Sequence, residues 1–345
     1  MKSFKEFLEE AKKNDNRNQE LLWFVLENKK LPYPQFNLPV GASCPSAGSC
    51  KTHAISVLKN ILDTTPPKTI RQRDINIEDE ELFTKLRKGK YWNETPNKKY
   101  TKKEVEEILK NTTWTLDEVK NLQYFACYAA LAEYQYGSEG PSYTMRYHNL
   151  ELLNKCISKT EMKNLIIDSI RNDTNVASSK IIRLHTSGDF FNQNYFDAWI
   201  YVARELPEII FYCYTKSIKM LLKRKSQLPP NLRITASYGG KDDALIDKYN
   251  LKYCIVVDSV KMANDIGLPV AKDDSYAMSD SNESFAILMH GGGQKGSFLK
   301  YLLQINTELI YPKQNTLVHV PQEHEEFYDE INETTNLLKQ FILLG

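Results

Sequence analysis

The sequence predicts an α/β fold built on parallel strands, from two observations. Between residues 178 and 293, five short β-rich runs alternate with amphipathic helical stretches. Each run is almost continuously apolar before it ends in polar residues or Gly, the pattern of strands buried on both faces and joined by right-handed crossovers. The chain has 345 residues, 41% of them hydrophobic, enough for a large core carrying an insertion or for two cores.

The first run, KIIRLHTSG, covers residues 180–188, and NYFDAWIYVARELP follows as its helix. EIIFYCYTKS (208–217) precedes SIKMLLKRKSQLPP, and LRITASYGG (232–240) precedes KDDALIDKYN. KYCIVVDS (252–259) and SFAILMHGGG (284–293) complete the series, with VKMANDIG after the fourth run. Upstream, residues 117–136 and 146–172 have helical patterning, with GSEGPS breaking the chain between them. Four regions follow: an N-terminal helix and cysteine loop (1–50), a helical insertion (51–116), the β/α core (117–293) and a helical C-terminal extension (294–345).

The formal net charge of +1 marks no particular partner, since a basic face on a balanced chain leaves no trace in composition. The charged N-terminus lacks the apolar run of a signal peptide, and no span approaches the roughly 18 apolar residues of a membrane helix. The expectation is a cytoplasmic protein without a membrane partner. In that compartment the six cysteines are free thiols or metal ligands rather than disulfides.

Ligands of parallel α/β folds gather at the carboxyl ends of the strands. There the sequence places His185, Ser187, Gly188 and Asp189, then Lys216, then Ser237 and Tyr238, and finally His290 ahead of three glycines. His185, Asp189 and Lys216 are the candidates for chemistry: His185 and Asp189 for proton transfer, Lys216 for neutralising a carboxylate or phosphate. Ser187, Gly188, Asp189, Ser237, Tyr238 and His290 are the candidates for holding a cofactor. HGGGQKGS at His290 is Gly-rich but matches neither the P-loop nor the dinucleotide fingerprint.

GASCPSAGSCKTH sets Cys44 and Cys50 in a C-x5-C pair on a loop of small residues, and Cys127 lies in YFACYAALAEY. Soft thiolates on a loop and a helix suit zinc or an iron–sulfur cluster, and these residues alone leave both open. Cys213 and Cys254 lie inside apolar runs and Cys156 on a helix, as small core residues.

The blocks LPVGASCPSAGSCK, CYAALAEYQ, RYHNLELL, RLHTSGDFFNQNYFDAWIYVARELPEIIFYCYTKS and SYGGKDDALID resemble the phage and plasmid "gene product 88" family. The likeness covers most of residues 38–259 and is strongest over 183–217. In that family Cys-Tyr-Ala follows the cysteine pair closely, whereas here the helical insertion separates them. Tyr143, Arg146 and Asn149 fall in or beside a family-like block, as supports for the cysteine helix.

That compact form is similar to the radical SAM superfamily. The resemblance implies a partial (β/α) barrel of radical SAM type whose [4Fe-4S] cluster is held by Cys44, Cys50 and Cys127, with an open iron position for S-adenosylmethionine. It further implies that Ser187, Gly188 and Asp189 face the methionyl amine. A reductant such as flavodoxin or ferredoxin and a nucleotide or modified DNA base as substrate complete the expectation. The usual C-x3-C-x2-C spacing of that superfamily is not present. Two other readings stand beside it: a non-catalytic phage or plasmid factor with a structural metal site that binds nucleic acid or a partner, and a metal-free hydrolase or transferase using His185 and Asp189.

Overall fold

The computed structural model describes residues 18–26, 31–62, 98–123, 127, 129–130, 133, 141–289 and 298–310. The architecture is one eight-stranded mixed sheet with helices. Its strands are β1 (Phe24–Val25), β2 (Gln35–Phe36), β3 (Ile181–Leu184), β4 (Ile210–Thr215), β5 (Leu232–Ser237), β6 (Tyr253–Val257), β7 (Val270–Ala271) and β8 (Phe285–Leu288). The spatial order is β1-β2-β3-β4-β5-β6-β8-β7, and every pair is parallel except β1 with β2. The five predicted runs are thus β3, β4, β5, β6 and β8.

The sheet does not close on itself, so what the structure shows of the expected partial (β/α) barrel is its α/β class, on an eight-stranded mixed sheet. Two-residue strands terminate both edges, β1 antiparallel on one and β7 on the other, and they do not pair with each other.

The order of the strands decides which face each connection covers. From β2 to β6 each strand is laid beside the last in one direction, so right-handed crossovers send all their helices to one face. The step from β7 back to β8 runs the other way, which sends its connection to the opposite face. Side chains of β4 record both layers. Phe211 and Cys213 join the main core, whereas Tyr212 packs in a separate cluster with Phe285 and with Ala277 from the β7–β8 connection.

In chain order, α1 (Ser49–Leu62), α2 (Lys102–Asn111), α3 (Leu116–Asn121), α4 (Pro141–Lys155), α5 (Lys159–Asn172) and α6 (Thr174–Ala177) precede β3. Then come α7 (Gln193–Glu205), α8 (Ile218–Leu222), α9 (Ala244–Lys248), α10 (Val260–Asp265), α11 (Ser275–Met278) and α12 (Phe298–Ile310), of which α11 lies in the β7–β8 connection. Helix α7 shows why the core forms. The Asn192 side chain caps it by accepting from the Tyr195 N–H at 2.9 Å, and Tyr195, Trp199, Val202 and Phe196, Ala203 recur at helical spacing, all buried. Each large side chain so buried contributes about 1.5–3 kcal/mol.

Two predicted helices are interrupted, one by a tertiary contact and one at a local cap. A Thr115–Glu118 capping box starts α3, but the chain leaves the helix at Leu122. There the Gln123 amide donates to Val256 O (2.9 Å) and accepts from Val256 N (3.3 Å), satisfying a strand backbone that no neighbouring strand serves at that residue. Between α4 and α5 the chain breaks at residues 156–158, where the Ser158 side chain caps α5 by accepting from the Glu161 N–H. Of the insertion, α2 and the part of α1 from residue 51 on are helical, and α12 begins the C-terminal extension; residues 63–97 and 311–345 lie outside the described residues.

Candidate metal centre

The loop that carries Cys44 joins β2 to α1, whose first turn carries Cys50, and is pinned at the carboxyl ends of two strands. Leu38 N–H donates to Ser187 O (3.1 Å) beyond β3, and Gly48 N–H to Gly239 O (3.1 Å) beyond β5. Lys241 N–H donates to Ser46 O (2.9 Å), and Ala47 bridges Gly240. The glycines at these strand ends make the approach possible. Gly188 has φ +81°, and a Cβ there would meet Ser43 Oγ at 2.5 Å and Leu38 Cβ at 2.7 Å. A Cβ on Gly48 would stand 2.7 Å from Gly239 O. Asp243 holds the receiving turn, accepting from the N–H groups of Gly239 (2.8 Å) and Gly240 (2.9 Å).

Cys127 comes to the same place from the other side. Its N–H donates to Nδ1 of His53 at 3.0 Å, which sets the His53 ring beside it and its tautomer with the proton on Nε2. His53 lies three residues after Cys50 on α1 and is fully buried. Beneath, the buried Glu133 carboxylate accepts from Arg146 Nη1 (2.8 Å) and from the Val40 N–H (3.1 Å), and Arg146 also donates to Ala129 O (3.2 Å). This ion pair ties α4 to the start of the cysteine loop and to the segment carrying Cys127.

The three thiols are mostly buried and lie within electrostatic range of one another. Burial pushes the Cys44 thiol far up, and Asp189, Cys127 and Cys50 push it further. Burial and Cys50 push Cys127 up to about 12. Cys50 is also raised by burial, opposed by the Lys216 ammonium. So raised, the three groups stay protonated unless a cation stabilises their thiolates; Lys216 bears on Cys50, and Arg146 is paired with Glu133. That donor set has the chemistry for a soft metal or an iron–sulfur cluster. Among the described residues, however, no group of three or more Cys, His, Asp or Glu stands in an arrangement that could hold a metal ion. The donors fit by chemistry and neighbourhood, and not yet by ligand geometry.

The other predicted residues are brought to the same edge but are engaged with the protein. Asp189, which burial raises, accepts from Thr215 Oγ1 (2.6 Å), Lys216 N–H (2.9 Å) and Phe190 N–H (2.7 Å). Ser187 Oγ donates to Leu38 O at 2.9 Å, and Ser187 N–H to Asn37 Oδ1 at 3.0 Å. Lys216 Nζ donates to Ser237 Oγ (2.8 Å) and to Tyr238 O. The Tyr238 ring turns away, its hydroxyl donating to Asp247 Oδ1 at 2.6 Å. Tyr143 and Asn149 are buried on α4, Asn149 Nδ2 donating to Trp23 O and Asn37 O. His290 lies outside the described residues.

His185 is apart from the thiols, in the aromatic layer beneath. It has φ +60°, its Nε2 is 2.9 Å from the Tyr195 hydroxyl, and its ring meets Phe190 edge-on. Burial lowers its pKa to about 3, so it is neutral at pH 7. The unfolded chain therefore binds the extra proton first as pH falls below about 6.5, and stability falls with it toward pH 3. The expected slope is up to about 1.4 kcal/mol per pH unit. In His185→Asn, which tolerates positive φ, urea midpoints measured from pH 7 to 4 should lose that share of the slope.

Sequence reasoning missed Ser43, His53 and Glu133. Ser43 Oγ donates to Pro39 O at 2.6 Å and accepts from Asp189 N–H at 3.3 Å. Only His53 left a signal, its spacing of three from Cys50 on one helix face.

An open parallel sheet that clamps a cysteine loop at its carboxyl edge defines an α/β protein with a thiol-rich centre. A family profile described as Gene product 88 matches residues 6–307, so the chain belongs to that family. It is 29% identical over 90 residues to the "Gene 88 protein" of Mycobacterium phage L5, covering 25% of this chain and 38% of the relative. It is 31% identical over 72 residues to the "Gene 88 protein" of Mycobacterium phage D29, covering 20% and 30%. The matches thus span well under half the length of these two relatives. No solved structure matches, and nothing in the comparisons supports the likeness to radical SAM enzymes. Among the described residues, no helix is long and apolar enough to cross a membrane.

Proposed function

We propose that Cys44, Cys50 and Cys127 hold one structural metal centre, an iron–sulfur cluster or zinc, in a phage-type protein that acts by binding rather than catalysis. The carrying observation is that residues which a cofactor above the centre would use are already engaged in hydrogen bonds within the protein. Asp189 accepts three protein hydrogen bonds, Ser187 donates to Leu38 O, and Lys216 Nζ is held by Ser237 and Tyr238. A centre so enclosed locks the loop to the segment carrying Cys127. The partner would be nucleic acid or protein, met through the insertion of residues 51–116.

A radical SAM enzyme is the second reading, favoured by the position of the thiols at the carboxyl edge of parallel strands. In it a bound [4Fe-4S] cluster would supply one-electron reduction of S-adenosylmethionine, with flavodoxin or ferredoxin as reductant and a nucleotide or DNA base as substrate. The chain's own residues would position and exclude water: Lys216 would keep positive charge beside Cys50, and Asp189 would hold the β3 and β4 ends together.

Anaerobic purification, with iron, sulfide and zinc analysis and electron paramagnetic resonance of the reduced protein, separates the two. A bound metal whose spectrum and content are indifferent to S-adenosylmethionine is the expected result. A cluster signal that changes on adding S-adenosylmethionine would move the assignment to the radical enzyme.

A further inference from the structure

The sheet face covered by the β7–β8 connection is unusually polar for a buried surface. Register places Gln35, Arg183, Tyr212 and Arg233 side by side in one row across β2, β3, β4 and β5. Tyr214 and Thr235 stand together two residues further on. Paired residues of neighbouring strands point to the same face, so these six side chains share one surface. Three of them keep buried polar atoms without a hydrogen-bond partner among the described residues: Gln35 Nε2, Arg233 Nε and Thr235 Oγ1. Gln35 and Thr235 are at least nine-tenths buried. Such unmet groups clustered on one surface are rare in a packed core, where buried donors and acceptors find partners.

The β7–β8 connection fills this face. Asp274 accepts from Arg183 Nη1 (2.7 Å), the Tyr212 hydroxyl (2.7 Å) and the Tyr214 hydroxyl (2.8 Å). Arg233 Nη1 donates to Met278 O, and Lys252 Nζ donates to Tyr276 O (2.6 Å) and Ser279 O (3.1 Å). Three cations therefore converge on one short segment that answers them with a single directly bonded carboxylate and backbone carbonyls. Burial and the neighbouring Arg233 charge hold Lys252 below the usual ammonium range, opposed by Asp280 and Glu283. Around them stand tyrosine rings: Tyr33 edge-on to Tyr212, and Arg183 over the Tyr214 ring at 5.4 Å.

We propose that this face is a second binding site, for a phosphate-bearing small molecule with a flat ring, and that residues 272–280 close it with Asp274 standing where the phosphate binds. An oxyanion in the place of Asp274 would take the same donors, Arg183 Nη1 and two tyrosine hydroxyls, in the charge-assisted geometry that suits phosphate. A ring beside it would stack on tyrosine, and its polar edge would meet Gln35 and Thr235. The inference does not depend on the metal centre.

Titration calorimetry with AMP as the probe tests it on the full chain in the wild type, Asp274→Asn and Arg183→Gln, each checked for folding by circular dichroism. Removing the internal carboxylate should tighten AMP by about tenfold or more, about 1.4 kcal/mol, and Arg183→Gln should abolish binding. An Asp274→Asn protein that folds and binds AMP no better than wild type overturns the proposal. Should that variant fail to fold, hydrogen exchange on the wild type decides: millimolar AMP should speed exchange of the amides in residues 272–280, and unchanged exchange there overturns it.

Discussion

Gly188→Ala should lower stability by about 2–5 kcal/mol and, in the same variant, release the cysteine loop. The left-handed backbone at φ +81° costs an alanine about 1–2 kcal/mol. The added Cβ would also enter the space of Ser43 Oγ, Leu38 Cβ and Leu38 O, at 2.5, 2.7 and 2.8 Å. Leu38 O is the acceptor of Ser187 Oγ, and Ser43 Oγ the acceptor of Asp189 N–H, so relief of the clash breaks contacts that pin the loop. Overpacking of this kind adds about 1–3 kcal/mol. Gly267→Ala is the control. It has φ +71° but nothing within 4 Å of the added Cβ, so only the backbone cost applies. The difference in urea midpoint between the two variants reads the docking of the loop. Equal losses would mean that the loop is not held there.

Arg146→Met should be comparably damaging, about 3–5 kcal/mol, because it leaves the buried Glu133 carboxylate without its cation. Glu133 also accepts from the Val40 N–H at the start of the cysteine loop. Loss of the pair should therefore appear locally, as faster hydrogen exchange at residues 38–48, as well as in the global midpoint. Adding Glu133→Gln to Arg146→Met should recover part of the loss, since a neutral amide keeps an acceptor for Val40 without a buried charge. If the double variant is as unstable as the single one, the charge is not the source of the penalty.

The parallel strands were legible because their chemistry is local. Apolar runs such as YCIVV in β6 and FAIL in β8 announce burial on both faces, and the capping signals of α3 and α7 lie within three residues of the helix starts. β1, β2 and β7 were not legible, for two residues carry no periodicity and pair only because the neighbouring strand presents a free edge. The partial barrel was inferred from resemblance; the order of the strands, which no single run records, gives an α/β sheet that does not close. The break after α3 is a tertiary event, set by the pairing of Gln123 with Val256.

The candidate site shows the same division. The spacing of Cys44 and Cys50 and the polar strand ends could be read directly. That Gly188, Gly48 and Gly240 serve the close approach of the cysteine loop could not, because each contact joins residues distant in the chain. Asp189 illustrates the limit. An acidic residue at a strand end has the look of a ligand for an ammonium group, yet its oxygens are taken by Thr215, Lys216 and Phe190. The row of Gln35, Arg183, Tyr212 and Arg233 is invisible in sequence for the same reason: it exists only once register is set.

The most direct test of a single three-thiol centre is metal content per chain in Cys44→Ser, Cys50→Ser and Cys127→Ser, each prepared anaerobically beside Cys156→Ser. One centre shared by three ligands predicts that each of the first three variants loses the metal together with its visible or magnetic signature, while Cys156→Ser retains it. Full metal content in any one of the three would contradict the account.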